Sequence, residues 1–158
     1  MQKVSTFLWF DNQAEQAAKF YVSLFNNSRI IQMSHYGDGM PMPKGTVMVV
    51  HFTLDGIEYQ AINGGPHFKL TPAVSLMVSC ESQEEVDRLW SKLTADGGQE
   101  VQCGWLTDKF GLSWQIVPAA FPALLKTANA AQAQRVMQSM MQMRKLDMAV
   151  LQRAYDGH

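Results

Sequence analysis

Gly56-Ile57-Glu58-Tyr59-Gln60-Ala61-Ile62 and Gly111-Leu112-Ser113-Trp114-Gln115-Ile116-Val117 follow one pattern: glycine, apolar, polar, aromatic, glutamine, then two apolar residues. The copies lie 55 positions apart. A second offset, of 70, aligns Val4-Ser5 with Val74-Ser75, Asp11-Asn12-Gln13-x-Glu15 with Glu81-Ser82-Gln83-x-Glu85, and Phe20 with Trp90. Matches at two offsets that fall on corresponding elements mark an internal duplication.

Working outward from these segments gives the order of elements. Lys3 to Phe10 is β-rich, and Asp11-Asn12 is a good N-cap pair. Ala14, Ala17, Ala18, Tyr21, Leu24 and Phe25 then recur on one helical face, which predicts a helix over 12–25. Strands follow at 29–36, 47–54 and 57–62, the last two joined at Asp55-Gly56. The second half repeats the order. It has a strand at 73–79, then a helix from the Ser82/Glu85 capping box to about Leu93. Short strands near 100–102 and 105–108 and a last strand over 112–117 complete it. The fold class is therefore α+β: two tandem βαβββ modules, at about 1–66 and 72–118, forming a curved mixed sheet around a pocket. C-terminal helices in 119–158 extend the same domain.

Composition excludes several classes. The chain has 158 residues, 47% of them hydrophobic, which rules out a disordered polypeptide. No run approaches a membrane span, and Met1 to Asp11 has no signal-type apolar core, so a cytoplasmic protein is expected. A net charge of −1 gives no electrostatic footprint for nucleic acid. Cys80 and Cys103 are too few and too far apart for a disulfide framework or a CxxC motif, and read as reduced thiols.

Several segments together carry a family resemblance. They are Phe7-Leu8-Trp9-Phe10-Asp11 before Phe20-Tyr21, Ala61-Ile62-Asn63-Gly64-Gly65-Pro66, and Cys103-Gly104-Trp105-Leu106-Thr107-Asp108. Phe110 to Pro118 completes the set. With the tandem βαβββ order, they resemble the vicinal oxygen chelate superfamily of glyoxalases, bleomycin-resistance proteins and extradiol dioxygenases. Within it they look like the PhnB-like branch, often labelled 3-demethylubiquinone 3-methyltransferase. The resemblance implies a dihydroxybiphenyl-dioxygenase-type fold and a pocket location. It also implies two metal ligands per module, one from the first strand and one from the fourth. The matching positions are Ser5 or Thr6, Gln60, Ser75 and Gln115. Hydroxyls and amides replace histidine and glutamate there, so the expectation is a site without a metal or other cofactor. Methyl transfer would need a glycine-rich turn between a strand and a helix, and the glycine pairs here fall in strand-to-strand loops.

Alternation places the candidate ligand residues. Ser5, Phe7 and Trp9 share a face, as do Ser75, Met77 and Ser79; Glu58-Gln60 and Ser113-Gln115 are their partners on the fourth strands. Polar groups among apolar walls suit a small-molecule pocket. Glu58 is the ionisable residue on those faces: a candidate general base, or a carboxylate at the pocket rim or in an ion pair. Gln60 and Gln115 either orient a polar ligand or are buried amides bonded to backbone. Trp9 and Trp105 are candidate walls; Trp90 and Trp114 read as core. His35, His51 and His158 read as structural or surface, whereas His67 sits in a loop able to reach over a pocket.

From Ala120 the chain is rich in alanine, glutamine and methionine. Met137, Met140, Met141, Met148, Leu151 and Tyr155 fit one stripe, predicting a long amphipathic helix that packs on its own sheet or on a second copy. The combined expectation is a homodimer binding an unidentified small molecule, with neither membrane nor nucleic acid as partner. A metal-dependent isomerase, lyase or dioxygenase is the enzyme alternative. An interaction module using the Met-rich helix is the third.

Overall fold

The two offsets read from the sequence are the register of two sheets. The computed structural model describes residues 2–158 and divides into two compact units, Met1–Leu70 and Thr71–His158. The first unit runs β1 (Thr6–Phe10), α1 (Ala14–Leu24), β2 (Arg29–His35), β3 (Val47–Leu54) and β4 (Ile57–Asn63). The second runs β5 (Ser75–Cys80), α2 (Gln83–Thr94), β6 (Gln99–Glu100), β7 (Trp105–Thr107) and β8 (Ser113–Pro118). Helices α3 (Ala120–Thr127), α4 (Ala130–Met141) and α5 (Met148–Asp156) follow.

Each unit holds one mixed four-stranded sheet, ordered β1-β4-β3-β2 and β5-β8-β7-β6. The first strand pairs parallel to the fourth in both, with Phe7 opposite Gln60 and Met77 opposite Gln115. These pairs are related by the same 70 and 55 positions. The α+β class and the duplicated βαβββ order are thus the observed architecture, built as two separate sheets.

The apolar face of each sheet is covered by its helix. In the first unit Leu8, Phe10, Val50, Phe52, Leu54 and Ala61 are buried together with Ala14, Ala17, Ala18, Tyr21 and Leu24 of α1. In the second, Trp114 and Ile116 are buried with Val86, Leu89, Trp90 and Leu93 of α2. Trp90 and Trp114 are core, as their positions imply.

Two local expectations need correction. The Asp11-Asn12 pair does not cap α1: its N-cap is Gln13, with no side-chain cap bond. Asn63, at the end of β4, does the work from a distance, its Oδ1 accepting from the Ala14 amide at 2.8 Å while its Nδ2 donates to the Val47 carbonyl at 3.0 Å. A buried amide that satisfies three elements at once outcompetes an exposed local cap. In α2 the Ser82 hydroxyl does accept from the Glu85 amide. The Glu85 carboxylate accepts a hydrogen bond from the Cys80 thiol, which burial first and this acidic neighbour second push up to about 12.

The single long C-terminal helix is the second correction. The tail is three helices, interrupted before Asn129 and again over 142–147. Asn129 forms a full capping box with Gln132, and Asp147 caps α5 by accepting from the Ala149 and Val150 amides. The interruption frees 143–146 to run against the second sheet. Cys103 and Gly104 donate their amides to the Met143 and Arg144 carbonyls, and Leu146 is buried against Gly104. Arg144 and Lys145 pair with Glu100 and Asp87. The predicted methionine stripe is therefore split between two helices. Val136, Leu146 and Leu151 supply the buried contacts, leaving Met137 and Met141 exposed.

Candidate functional site

Opposite α1, the first sheet presents a second face whose side chains follow from register alone. One row is Gln32-His51-Gln60-Phe7; the next is Ser34-Val49-Ile62-Trp9; a third carries Thr53 and Glu58. Gln32 joins this face because of a bulge at Ile31, between the pairs Ile30–Phe52 and Gln32–His51. Strict alternation would have put Gln32 with Ile30 on the buried side; the extra residue turns both Gln32 and Ser34 outward. An open cavity of about 250 Å³ lies on this face, lined by Gln32, Ser34, Val49, His51 and Gln60.

The predicted residues of this module are brought onto the same face, in distinct places. Gln60 lines the cavity itself. Glu58 stands one pleat away, its Oε2 at 3.9 Å from His51 Nε2, both side chains about three-quarters buried. Gln2 covers Glu58, its backbone N–H donating to the carboxylate at 3.4 Å. Ser5 precedes β1 and is half-buried, while Phe7 is exposed beside Gln60. Trp9 is held more firmly: its indole N–H donates to the Gly65 carbonyl at 3.0 Å and its ring meets Phe68 edge-on at 4.9 Å. Its ring lies directly over Gly64. His67 is exposed in the loop beyond β4 and is not among the cavity-lining residues.

In the second module, Ser75, Met77, Trp105, Ser113 and Gln115 also share one face. Met77, Gln115 and Trp105 form one row and Ser75, Ser113 and Thr107 the next. Gln115 donates to the Ser75 hydroxyl at 3.0 Å, so the amide is engaged locally. Ser113 Oγ is buried with no hydrogen-bond partner among the described residues.

The metal that the fold family implies can be tested on these donors. Ser5, Thr6 and Gln60 in one module and Ser75 and Gln115 in the other offer hydroxyls and amides. No group of three His, Cys, Asp or Glu able to hold a metal ion occurs among the described residues. Divalent transition metals favour imidazole, thiolate and carboxylate, so the residues do not fit the group.

Sequence reasoning missed Gln32, Ser34 and His51. His51 had a signal: in Val47-Met48-Val49-Val50-His51-Phe52-Thr53-Leu54 the largest apolar residues alternate away from it, which places it on the open face. The bulge that exposes Gln32 and Ser34 had none.

The family model described as 3-demethylubiquinone-9 3-methyltransferase matches residues 2–117. A PhnB protein from Bacillus cereus, described with the same methyltransferase name, is 41% identical; the match covers 75% of this chain and 100% of that one, with a TM-score of 0.69. A Pseudomonas aeruginosa protein matches at 19% identity over 75% of this chain and 98% of its own, with a TM-score of 0.61. The fosfomycin resistance protein FosX from Listeria monocytogenes matches at 14% over 74% and 90%, with a TM-score of 0.53. The last two are likenesses of fold. No curated protein matches the sequence. The family match ends at Val117, so α3 to α5 lie beyond it.

Proposed function

Because the chain belongs to the family described as 3-demethylubiquinone-9 3-methyltransferase, within the glyoxalase-type fold, we propose that it binds a small molecule on the face of its first sheet opposite α1. The observation that carries the reading is the cavity on that face, where Gln32, Ser34, His51 and Gln60 converge beside Val49. Convergent polar side chains of this kind fix the orientation of a ligand by hydrogen bonding, and here four of them stand beside one apolar residue. Ser5, Phe7, Trp9 and Glu58 extend the site around the cavity, with Trp9 and Phe68 as an aromatic wall. Ser75, Met77, Trp105, Ser113 and Gln115 form the equivalent surface of the second module, and the orphaned Ser113 hydroxyl there suits a ligand or water contact.

Methyl transfer is not part of this reading. The strand-to-helix turns, Asp11-Asn12-Gln13 and Glu81-Ser82, contain no glycine that would let the backbone approach a nucleotide cofactor. The donor set supports a binding function that needs no metal.

A thermal-shift screen of single-ring phenols, amides and heterocycles tests the reading. Hits are expected, and Gln60→Ala is expected to weaken each about tenfold, the loss of one hydrogen bond of about 1.4 kcal/mol. Shifts unchanged in Gln60→Ala would make that amide structural.

The chain is further read as a cytoplasmic homodimer. The edge strands β1 and β5 expose Phe7 and Met77, apolar surface that a second copy would cover. Free thiols at Cys80 and Cys103 suit a reducing compartment. No helix among the described residues is long and apolar enough to cross a membrane. Light scattering is expected to give twice the 17.7 kDa chain mass; a monomer at micromolar concentration would remove the dimer.

A further inference from the structure

The duplication shows where the second sheet is short. β2 runs for seven residues along β3, whereas β6 has two, paired with Leu106 and Thr107 of β7. At the offset of 55, Cys103 and Gly104 correspond to Met48 and Val49. In the first module β2 covers that stretch, Ser34 standing opposite Val49 and His35 opposite Val47. Beside Cys103 and Gly104 there is no strand among the described residues. Residues 142–147 take the place: the Cys103 and Gly104 amides donate to the Met143 and Arg144 carbonyls at 2.8 and 2.7 Å. A sheet edge with unpaired amides is a template for other chains, so this contact closes a vulnerable edge.

What holds the segment is mostly polar. The Gln83 side chain of α2 donates to the Leu146 carbonyl at 2.9 Å and accepts from the Met148 amide at 2.9 Å. Lys145 meets Asp87 at 2.8 Å and Arg144 meets Glu100 at 3.6 Å, all four side chains being 40–63% exposed. Surface pairs of that kind contribute little. Leu146 is the one buried side chain of 142–147. It lies so close to Gly104 that a Cβ there would come within 3.0 Å of its Cδ1. Helices α4 and α5 pack chiefly on each other, and Arg135 of α4 donates to the Ala154 and Tyr155 carbonyls at the end of α5. The hairpin thus holds itself together. The family match ends at Val117, and the whole of the Bacillus cereus chain is matched by 75% of this one, so the fold does not depend on the extension. Under the segment the backbone is strained: φ is 60° at Cys103 and 85° at Gly104. The left-handed region suits glycine, and a residue with a Cβ stays there only where its neighbours fix it. The two carbonyls of the segment do so, and the turn they fix leads straight into Trp105, whose amide donates to the Gln102 carbonyl at 3.1 Å.

We infer that residues 142–147 are a clasp that lets go of the sheet edge as one piece while α2 and β5 to β8 stay folded, and that its release unlocks the turn at 102–105 and moves Trp105. Local opening belongs to segments held by few buried apolar contacts and many solvent-facing polar ones. The inference stands whether or not the second module's face binds a ligand.

Native-state hydrogen exchange on the full ¹⁵N-labelled chain in low urea tests it. The Cys103, Gly104 and Met148 amides are expected to exchange together, about a hundredfold faster than Trp90 and Leu93 inside α2, and with little dependence on urea. Leu89→Ala, which opens a cavity under α2, is expected to speed Trp90 and Leu93 about a hundredfold and to leave the clasp amides unchanged. Leu146→Asp is expected to leave Cys103 and Gly104 exchanging like an unprotected peptide and to shift the Trp105 indole resonance, with Trp90 and Leu93 still protected. Clasp amides that exchange only at the rate of Trp90 and Leu93, or that speed up with them in Leu89→Ala, would overturn the inference. So would loss of protection throughout α2 in Leu146→Asp. A Trp105 indole unmoved in a released Leu146→Asp chain would overturn the coupling to the turn.

Discussion

Replacing Asp108 with alanine is expected to destabilise the second unit by about 4 kcal/mol. Asp108 is 2% exposed, and its side-chain oxygens are met by backbone and indole donors. Oδ1 accepts from the Phe110 amide at 2.8 Å and the Leu112 amide at 3.0 Å, and Oδ2 accepts from the Trp114 indole at 2.9 Å. The turn between β7 and β8 is tied to the largest buried side chain of the sheet through one residue. Hydrogen bonds to a charged acceptor contribute about 1.5–3 kcal/mol each, and donors left buried without a partner add to the loss. Asp108→Asn is expected to cost about half as much, because its oxygen can keep both amides on Oδ1 while its NH2 faces the indole donor. All three partners donate, and an amide can present an acceptor oxygen to only one side. Urea unfolding followed by tryptophan fluorescence measures both. A loss below about 0.5 kcal/mol in Asp108→Asn, the scale of a surface change, would show that this network does not hold the turn.

Gly64→Ala is expected to cost about 3 kcal/mol and to weaken ligand binding at the same time. A Cβ at this position would lie 2.2–2.5 Å from the Cζ2, Cη2 and Cε2 atoms of Trp9. Real contacts of that length do not occur, so the indole must move, breaking its bond to the Gly65 carbonyl and its contact with Phe68. Forcing extra volume into a packed site costs about 1–3 kcal/mol, and the backbone beneath the ring leaves little room to relax. Urea unfolding gives the stability loss, and the thermal-shift hits give the binding loss. Wild-type stability and binding together would mean that Trp9 is not a fixed wall of the site.

These two positions show why much of the fold was legible and part of the site was not. Both belong to segments that carried the family resemblance, and both turn out to be structural: Asp108 closes a turn, and Gly64 makes room for Trp9. The duplication was legible because Gln60 and Gln115 sit at one register position in two sheets built alike. The open face of β3 and β4 was legible too, since a period of two is fixed by strand geometry. Gln32 and Ser34 were hidden by the bulge at Ile31, which reverses alternation and leaves no mark in composition. His51 was passed over because apolar neighbours suggest a core histidine, although those neighbours point the other way. The broken C-terminal helix was illegible for a different reason. Leu146 leaves the helical pattern for a buried place beside Gly104, a tertiary contact that overrides local propensity.

The central claim is that the ligand site lies on the first sheet's face opposite α1, and side-chain amide NMR tests it most directly. The ¹⁵N-labelled chain is titrated with the strongest hit of the single-ring screen. The Gln32 and Gln60 side-chain amides and the backbone amides around His51 are expected to move first and saturate together. Shifts confined to Ser75, Gln115 or the helices α3 to α5, with Gln32 and Gln60 unmoved, would contradict it.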